Sequence, residues 1–239
     1  MRKIKAILWD FDGTLLNSTR ESMKNMRSIA KLLGLRIPTF KILKEHWGIS
    51  WLKFIDKIAK DCDWPEGSPE LFVDKCRENK QFWEGHKLFP KIKETLKTLI
   101  FQGIKVGIIS TRIKESAGRD LFSIMDYLEK LDINPSIFFI IQGRKDCEYL
   151  KPNPKVFDPA LTILRKDNVN LDQIIYVGDT VNYDLEVTFG YTPNIPFVAV
   201  VSGACSQDDF LQAGVPRKCI INSPKEIFGA IDFIKALKI

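Results

Sequence analysis

The sequence predicts an α/β protein with a Rossmann-like parallel sheet, helices on both faces of the sheet, and an inserted all-helical segment. The first observation is that short apolar runs alternate with segments of helical periodicity from residue 88 onward, which is typical of parallel strands joined by helical crossovers. The second is that residues 16–87 show helical periodicity alone. We therefore predict an α/β core domain of residues 1–15 and 88–239, with a helical domain of residues 16–87 inserted after the first strand.

The first strand and the inserted helices come first along the chain. Residues 4–9 form an apolar run flanked by charges, which predicts a buried strand. A helix is predicted from Ser18, an N-cap residue followed by Glu21 in a capping-box pattern, to Gly34, which favours a helix end. Apolar residues at three- and four-residue steps predict two further helices, at residues 50–62 and 69–83.

Strands and helices then alternate to the end of the chain. Further strands are predicted at residues 104–111, 137–141, 174–177, 197–201 and 218–221. Further helices are predicted at residues 89–102, 115–131, 154–164, 207–213 and 224–237. Because most strands that follow one another along the chain are separated by a predicted helix, the strands of the core are expected to run parallel.

The cysteine and histidine content argues against some kinds of site. The five cysteines form no C-x-x-C pair, and their odd number does not suit a disulfide framework. Neither histidine, His46 or His86, lies near a cysteine pair, so a zinc site is not expected. The N-terminal stretch has too few apolar residues for a signal peptide, and no apolar run reaches membrane-spanning length. We therefore expect a soluble, cytoplasmic protein without a membrane partner.

The charge of the chain bears on its partners. A formal net charge of +6 allows anionic partners, either nucleic acid or small phosphorylated molecules. The basic residues form no dense run, and no basic stripe with interleaved aromatic residues is present. We therefore expect a small phosphorylated molecule and no nucleic acid as the partner. The oligomeric state, monomer or homodimer, stays open.

Several polar residues are predicted to meet at one edge of the sheet. Ligands of parallel sheets bind at the carboxyl ends of the strands. The polar residues that follow predicted strands, or precede the K-P-N-P turn, are Asp10, Asp12, Thr14, Ser110, Thr111, Arg112, Lys151, Asp179 and Asp184. Carboxylates this close together repel each other unless a cation joins them. Oxygen ligands without a nearby histidine favour Mg²⁺ over zinc.

Four motifs occur in a specific order: D-F-D-G-T at residues 10–14, I-I-S-T at 108–111, Lys151 before Pro152, and G-D-T-V-N-Y-D at 178–184. In this order they resemble the motifs of the haloacid dehalogenase superfamily of aspartate-nucleophile hydrolases. The resemblance covers residues 1–15 and 88–221, and the inserted helices resemble the helical cap of phosphoglycolate phosphatase-like members.

The resemblance implies roles for the charged residues. Asp10 matches the nucleophile that forms an aspartyl-phosphate, and Asp12 matches the general acid/base. To donate a proton near neutral pH, Asp12 needs a pKa raised by neighbouring negative charge. Lys151 matches the lysine that offsets charge on Asp10 and the phosphate. The implied Mg²⁺ ligands are Asp10, the main chain of Asp12, Asp179 and Asp184, the last acting through water or by positioning another ligand.

Smaller residues match phosphate-binding positions of the family. Gly13 and Thr14 fit a tight loop whose amides face the phosphoryl oxygens. Ser110 matches the residue that hydrogen-bonds the transferring phosphoryl group, with help from the Thr111 amide. Arg112, by contrast, is expected to be a surface or helix-start residue.

Substrate choice is expected to lie in the inserted helices. The segment E-H-W-G-I-S-W, residues 45–51, matches the cap loop that faces the active site, which makes His46, Trp47 and Lys53 candidate substrate contacts. The alternative is that the tryptophans are core residues of the helical domain. The stretch L-E-V-T-F-G-Y after Asp184 differs from the alanine-rich stretch of close phosphoglycolate phosphatase relatives, which leaves the subfamily open.

The resemblance also indicates the type of reaction. The dehalogenase branch typically lacks the second aspartate of D-x-D, so Asp12 indicates a phosphatase. We expect a Mg²⁺-dependent phosphatase that hydrolyses a small phosphorylated metabolite through an aspartyl-phosphate. Two alternatives remain, a phosphomutase that passes the phosphoryl group to a sugar, and a non-catalytic binding or regulatory protein on the same core.

Overall fold

The structure, a computed structural model, describes residues 3–49, 51–79, 85–116, 123–202 and 204–237. The strands are β1 (Ala6–Trp9), β2 (Leu16–Asn17), β3 (Lys87–Leu88), β4 (Lys105–Ile109), β5 (Phe138–Gln142), β6 (Ile174–Gly178), β7 (Phe197–Val200) and β8 (Ile220–Ile221). The helices are α1 (Thr19–Leu32), α2 (Phe40–Glu45), α3 (Trp51–Asp61), α4 (Ser68–Glu78), α5 (Ile92–Phe101), α6 (Ile124–Lys130), α7 (Asp158–Lys166), α8 (Gln207–Gln212) and α9 (Ile227–Ala236).

Six of these strands form one parallel sheet, in the order β5-β4-β1-β6-β7-β8. The predicted fold class, a parallel sheet flanked by helices, is confirmed. Strand β1 lies between β4 and β6, and all four of its residues are buried, which explains its uninterrupted apolar sequence. Because the strands run parallel, the residues that follow β1, β4 and β6 become neighbours at one edge of the sheet.

Buried apolar side chains form two clusters. One consists of residues of the six-stranded sheet and helices α5 to α9. The other is built from α1 to α4 and includes Met26, Leu43 and Phe72, all fully buried. The inserted helices therefore have a hydrophobic core of their own.

Two short strands join the two clusters. Leu16 pairs with Leu88 and Asn17 with Lys87, so that β2 and β3 form an antiparallel ladder. The sequence showed only helical periodicity in this region, since two-residue strands are too short to produce an alternating pattern. We propose that the boundary between the core domain and the helical domain falls at this pair.

Two predicted helix starts differ from the structure. The side chain of Ser18 does not cap α1; its hydroxyl donates to Asp12 Oδ1 at 2.8 Å, so the predicted capping box is wrong. The helix predicted at residues 115–131 begins only at Ile124, because Ser123 and Asp126 form a capping box there.

Other predicted elements differ at their ends. The helix predicted at residues 154–164 is preceded by a 3₁₀ turn, Pro154–Phe157, before α7 begins. Helix α4 ends at Glu78, and residues 80–84 of the helix predicted at 69–83 lie outside the described residues. Residue 50 of the helix predicted at 50–62 and residues 117–122 of the helix predicted at 115–131 also lie outside them.

Within the described ranges, none of the helices is both long and apolar enough to cross a lipid bilayer. All five cysteines are free thiols.

A buried histidine connects the inserted helices with the core. His86, directly before β3, is fully buried. Its Nε2 lies 3.0 Å from Ser22 Oγ on α1, and its Nδ1 lies 2.6 Å from the hydroxyl of Tyr127 on α6. Burial is the main cause that lowers the pKa of His86 from 6.5 to about 4, although the charge of Asp12 acts in the opposite direction.

The depressed pKa of His86 predicts a pH-dependent stability. The unfolded chain takes up a proton on this histidine below about pH 6.5, whereas the folded chain does so only near pH 4. The free energy of unfolding should therefore fall as the pH drops through this window. We expect the wild type to lose about 2 kcal/mol more than His86→Gln between about pH 7 and pH 5, measured by urea unfolding. Equal losses in both proteins would contradict the linkage.

Candidate active site

A cavity of about 210 Å³ lies between the carboxyl edge of the sheet and the inserted helices. On the sheet side its walls include Asp10, Asp12 and Asp179, which follow β1 and β6. On the helical side they include Trp47 and Phe54. The order of the strands thus brings residues that are far apart in sequence to a single concave site, as expected for a parallel sheet.

A lysine links two of the carboxylates. Lys151 is buried, and its Nζ donates to Asp10 Oδ1 at 2.7 Å and to Asp184 Oδ1 at 2.6 Å. It also donates to the hydroxyl of Tyr176 at 2.9 Å, and that hydroxyl donates to Asp184 Oδ1 at 2.8 Å. Burial acts to lower the pKa of Lys151, but the charges of Asp10 and Asp184 outweigh it and raise the pKa well above its usual value. Lys151 is therefore a permanent cation at this site.

Asp184 uses both of its carboxylate oxygens in hydrogen bonds. The turn Val181–Leu185 folds back directly after β6, so that Asp184 Oδ2 accepts from the Asp179 N–H at 3.1 Å. The same oxygen accepts from the N–H and the hydroxyl of Thr180, at 3.0 and 2.6 Å. Burial works to raise the pKa of Asp184, but Lys151 and these hydrogen bonds lower it below its ordinary value. Asp184 is thus an anion that holds other groups of the site in place.

The acid cluster has more carboxyl groups than Lys151 can pair as ions. Oxygens of Asp10, Asp179 and Asp184 lie within 4.8 Å of one another, and all three residues are buried. Burial raises the pKa of Asp10 to about 7 against the opposing effect of Lys151. Burial and the charges of Asp184 and Asp10 raise the pKa of Asp179 well above its usual value. Buried oxygen ligands with uncompensated negative charge fit a hard divalent cation such as Mg²⁺.

Asp12 is held by an ion pair that the sequence analysis did not anticipate. Arg112 Nε donates to Asp12 Oδ2 at 2.8 Å and Arg112 NH2 donates to Oδ1 at 2.7 Å, and Ser18 adds the hydrogen bond described above. The Arg112 guanidinium also lies over the ring of Tyr127, 5.1 Å from its centroid. The charges of Asp12 and Asp10 and these hydrogen bonds raise the pKa of Arg112 above its usual value, against the opposing effect of burial.

The predicted rise in the pKa of Asp12 is wrong. Burial alone would raise this pKa, but the charge and hydrogen bonds of Arg112 lower it below its ordinary value. The expectation that Arg112 is a surface residue is wrong as well. The sequence shows that Arg112 follows Ser110-Thr111. It does not show that β4 lies next to β1 in the sheet, and this adjacency brings Arg112 to Asp12.

The loop after β1 differs in part from its prediction. Gly13 has a φ of +77°, as expected for a tight turn. Its N–H donates to the Leu16 carbonyl at 2.8 Å, and the Thr14 N–H donates to the Phe11 carbonyl at 3.4 Å. These amides are therefore bonded within the loop rather than directed at a ligand. The Thr14 hydroxyl is buried and has no hydrogen-bond partner among the described residues.

The other predicted residues divide into those at the cavity and those away from it. Thr111 lines the cavity, while the hydroxyl of the buried Ser110 accepts from the Arg112 N–H at 3.1 Å. Trp47 lines the cavity. His46 Nε2 lies 2.6 Å from Asp61 Oδ2, and the structure brings neither His46 nor the exposed Lys53 to the cavity wall.

Sequence reasoning assigned no contact with the carboxylates to several residues that hydrogen-bond them. Arg112, Tyr176 and Thr180 contact the carboxylates directly. Thr180 follows Asp179 in the fourth motif, which gave a clue to its place. Tyr176 lies inside an apolar strand, where nothing in the sequence indicates that its hydroxyl faces Lys151.

Comparisons with known proteins assign the family. A family model of haloacid dehalogenase-like hydrolases matches residues 7–200. The chain belongs to this family of hydrolases, as its four motifs indicated.

Two curated relatives cover most of the chain. Pyrophosphatase PpaX of Halalkalibacterium halodurans is 25% identical over 236 residues, which cover 93% of this chain and 94% of that protein. A phosphoglycolate phosphatase of Vibrio cholerae is 25% identical over 225 residues, 87% of this chain and 95% of the relative.

A solved structure from Thermotoga maritima, provisionally named as a beta-phosphoglucomutase, matches with a TM-score of 0.69 at 18% identity. The match covers 96% of this chain and 99% of the chain in that structure. This likeness shows the fold alone.

Two glycine substitutions test how tightly the loop after β1 packs on Asp179. Gly13 and Gly34 both have positive φ, but only at Gly13 would a Cβ meet neighbours, with Asp179 Oδ2 at 2.0 Å and nothing within 4 Å of Gly34. We expect Gly34→Ala to lower the free energy of unfolding by about 1 kcal/mol and Gly13→Ala by about 3 kcal/mol, measured by urea unfolding. Equal losses would mean that the loop relaxes away from Asp179.

Proposed function

We propose that this protein is a Mg²⁺-dependent phosphatase that hydrolyses a small phosphorylated metabolite through an aspartyl-phosphate on Asp10. The observation that carries the proposal is the buried cluster in which Lys151 bonds Asp10 and Asp184 beside Asp179, at the base of a cavity of small-molecule size. The names of the relatives, pyrophosphatase and phosphoglycolate phosphatase, support this reaction class.

Asp10 is the proposed nucleophile. Its carboxylate attacks the phosphorus atom, the bond from phosphorus to the leaving oxygen breaks, and the phosphoryl group stays on Asp10. Lys151, 2.7 Å from Asp10 Oδ1, reduces the repulsion between the carboxylate and the incoming phosphate. Water then attacks the phosphorus atom, and inorganic phosphate leaves with Asp10 restored.

Asp12 is the proposed general acid and base. As an acid it gives a proton to the leaving oxygen, and as a base it takes one from the attacking water. In the structure Asp12 is paired with Arg112, which favours the carboxylate form and therefore the second role. For the first role, the Asp12 carboxyl group has to carry a proton, which requires that the hydrogen bonds from Arg112 weaken when substrate binds.

Asp10 and Asp179 are the residues that we assign as carboxylate ligands of Mg²⁺, together with the main-chain carbonyl of Asp12. Asp184 contributes by holding the Asp179 N–H and Lys151, since both of its oxygens are already hydrogen-bonded. A bound Mg²⁺ would supply positive charge for the phosphoryl oxygens, which offsets the excess negative charge of the cluster.

A phosphomutase is the second candidate, because the structural match from Thermotoga maritima has such a name. It would pass the phosphoryl group from Asp10 to a sugar hydroxyl rather than to water. A binding protein without catalysis is disfavoured by the ion pairs and hydrogen bonds of the Asp10–Lys151–Asp184 cluster. The cytoplasmic location expected from the cysteines stays a prediction.

Phosphate release should depend on Asp10 and on Mg²⁺. We expect wild-type protein to release p-nitrophenol from p-nitrophenyl phosphate only with Mg²⁺, and Asp10→Asn to release none, because the amide is not a nucleophile. Asp132→Asn, the same change at an exposed acid far from the site, serves as the control and should keep full activity. Activity in Asp10→Asn would contradict the covalent mechanism. Transfer to a sugar phosphate without release of inorganic phosphate would favour the mutase.

The Asp12→Asn substitution should separate the two half-reactions. With p-nitrophenol, a leaving group that needs no proton, the phosphoryl group should still reach Asp10, but its hydrolysis should slow by about 100- to 10,000-fold. Phosphorylated protein should then accumulate, which mass spectrometry of the intact chain detects. Turnover like that of the wild type would remove Asp12 from the mechanism.

A further inference from the structure

The cavity has a basic end as well as an acidic one. Besides the acid cluster with Lys151, its walls include three arginines, Arg77, Arg112 and Arg144. Arg77 lies on α4, whereas Arg112 and Arg144 follow β4 and β5, neighbouring strands on the side of the sheet away from β6. The charge of the cavity therefore changes sign across the sheet edge, from acids after β1 and β6 to arginines after β4 and β5.

Of these three arginines, Arg144 is the one that forms no ion pair with another described residue. Arg112 forms an ion pair with Asp12, and Arg77 NH1 bonds Asp74 Oδ1 at 3.1 Å. The Arg144 guanidinium has no hydrogen bond or ion pair within the described part of the chain, although the residue is half-buried. A partly buried cation without a partner loses hydration energy that nothing in the protein replaces, which is typical of a position that binds a ligand anion.

The main chain at Arg144 is held firmly in place. The Arg144 N–H donates to the Arg112 carbonyl at 3.0 Å, and the preceding Gly143 N–H donates to Asp146 Oδ2 at 2.7 Å. A Cβ at Gly143 would lie 2.4 Å from the Lys114 nitrogen, so the loops after β4 and β5 are in close contact. The unpaired guanidinium is therefore presented from a rigid backbone, which reduces the entropy lost when it binds an anion.

The apolar walls of the cavity increase the effect of this charge. Trp47, Trp51 and Phe54 form part of the wall on the helical side. Trp47 and Phe54 contact edge to face, with ring centroids 5.6 Å apart. Charges beside such a partly apolar wall interact more strongly than in water. The cavity volume of about 210 Å³ suits a small leaving group.

We propose that Arg144 forms a second anion subsite, with Arg77 lining the same cavity from α4, and that the substrate is a phosphate ester or anhydride whose compact leaving group has its own negative charge. This inference rests on the proposed phosphatase function, since it places the transferred phosphoryl group at Asp10 and Lys151. The second anion is either a carboxylate or a phosphate, because a guanidinium binds both through paired N–H donors.

A matched pair of substrates tests the subsite. 2-Phosphoglycolate and 2-hydroxyethyl phosphate have leaving groups of similar size that differ in one carboxylate, and pyrophosphate supplies a second phosphate instead. The quantity to compare is kcat/KM for a charged substrate, 2-phosphoglycolate or pyrophosphate, divided by kcat/KM for 2-hydroxyethyl phosphate. We expect this ratio to be about 10- to 100-fold lower in Arg144→Gln than in the wild type, as for a lost hydrogen bond between charged groups. The loss should lie mainly in KM, and Arg144→Lys should recover part of it.

The controls separate the subsite from the reaction itself. Lys145→Gln removes the neighbouring exposed charge and should leave the ratio unchanged. An equal loss for charged and neutral substrates in Arg144→Gln, or an unchanged ratio in both Arg144 variants, would overturn the subsite while leaving the phosphatase proposal intact. If wild-type protein hydrolyses none of the three substrates but releases p-nitrophenol from p-nitrophenyl phosphate in an Asp10-dependent way, the subsite fails and the phosphatase proposal stands. If it hydrolyses none of the four, both proposals fail. The preferred charged substrate identifies the anion as a carboxylate or a phosphate.

Discussion

The repulsion between buried carboxylates at the sheet edge is the constraint on which the site depends. Oxygens of Asp10, Asp179 and Asp184 lie within 4.8 Å of one another, and among the described residues the buried ammonium of Lys151 is the cation that forms ion pairs with this cluster. Breaking one of these buried ion pairs would leave an uncompensated charge, which costs about 3 to 5 kcal/mol. Neighbouring hydrogen-bond donors also stabilise the Asp184 carboxylate, since the Tyr176 hydroxyl and the Thr180 N–H and hydroxyl all donate to it. The edge thus brings together more carboxyl groups than Lys151 can pair, an arrangement suited to a divalent cation.

The sequence predicted the central part of this arrangement well, because motif order and strand direction together define one edge. The positions of Asp10, Lys151, Asp179 and Asp184 follow from three of the four motifs, and the structure brings the four residues together. The contacts that could not be predicted depend on which strands are neighbours in the sheet and on which of several possible hydrogen-bond partners a side chain takes. The pairing of Arg112 with Asp12 needs β4 next to β1, and Ser18 donates to Asp12 instead of capping α1. The same competition explains why the pKa of Asp12 is lowered and not raised.

The residues on the two sides of the cavity have different proposed roles, which are phosphoryl transfer on one side and substrate recognition on the other. The sheet edge supplies the groups proposed to transfer the phosphoryl group, and these groups are buried and mutually bonded. The aromatic residues of the inserted helices and Arg144 after β5 line another part of the cavity, where we propose that the leaving group lies. Loops and inserted helices vary more readily than a buried sheet edge, so the substrate can change while the reaction stays the same. This division fits relatives that share the family but have different substrate names.

The antiparallel pair of β2 and β3 has a mechanical consequence for Asp12. Both chain segments that connect the sheet to the inserted helices pass through this one ladder, so they turn as a unit. Ser18 lies directly after β2, and its hydroxyl is one of the groups that bond Asp12 Oδ1. A rotation of the helices about the ladder would therefore stretch or shorten a hydrogen bond to the proposed proton-transfer residue. Ser18, at the junction between the sheet and the inserted helices, thus supplies one of the hydrogen bonds that lower the pKa of Asp12.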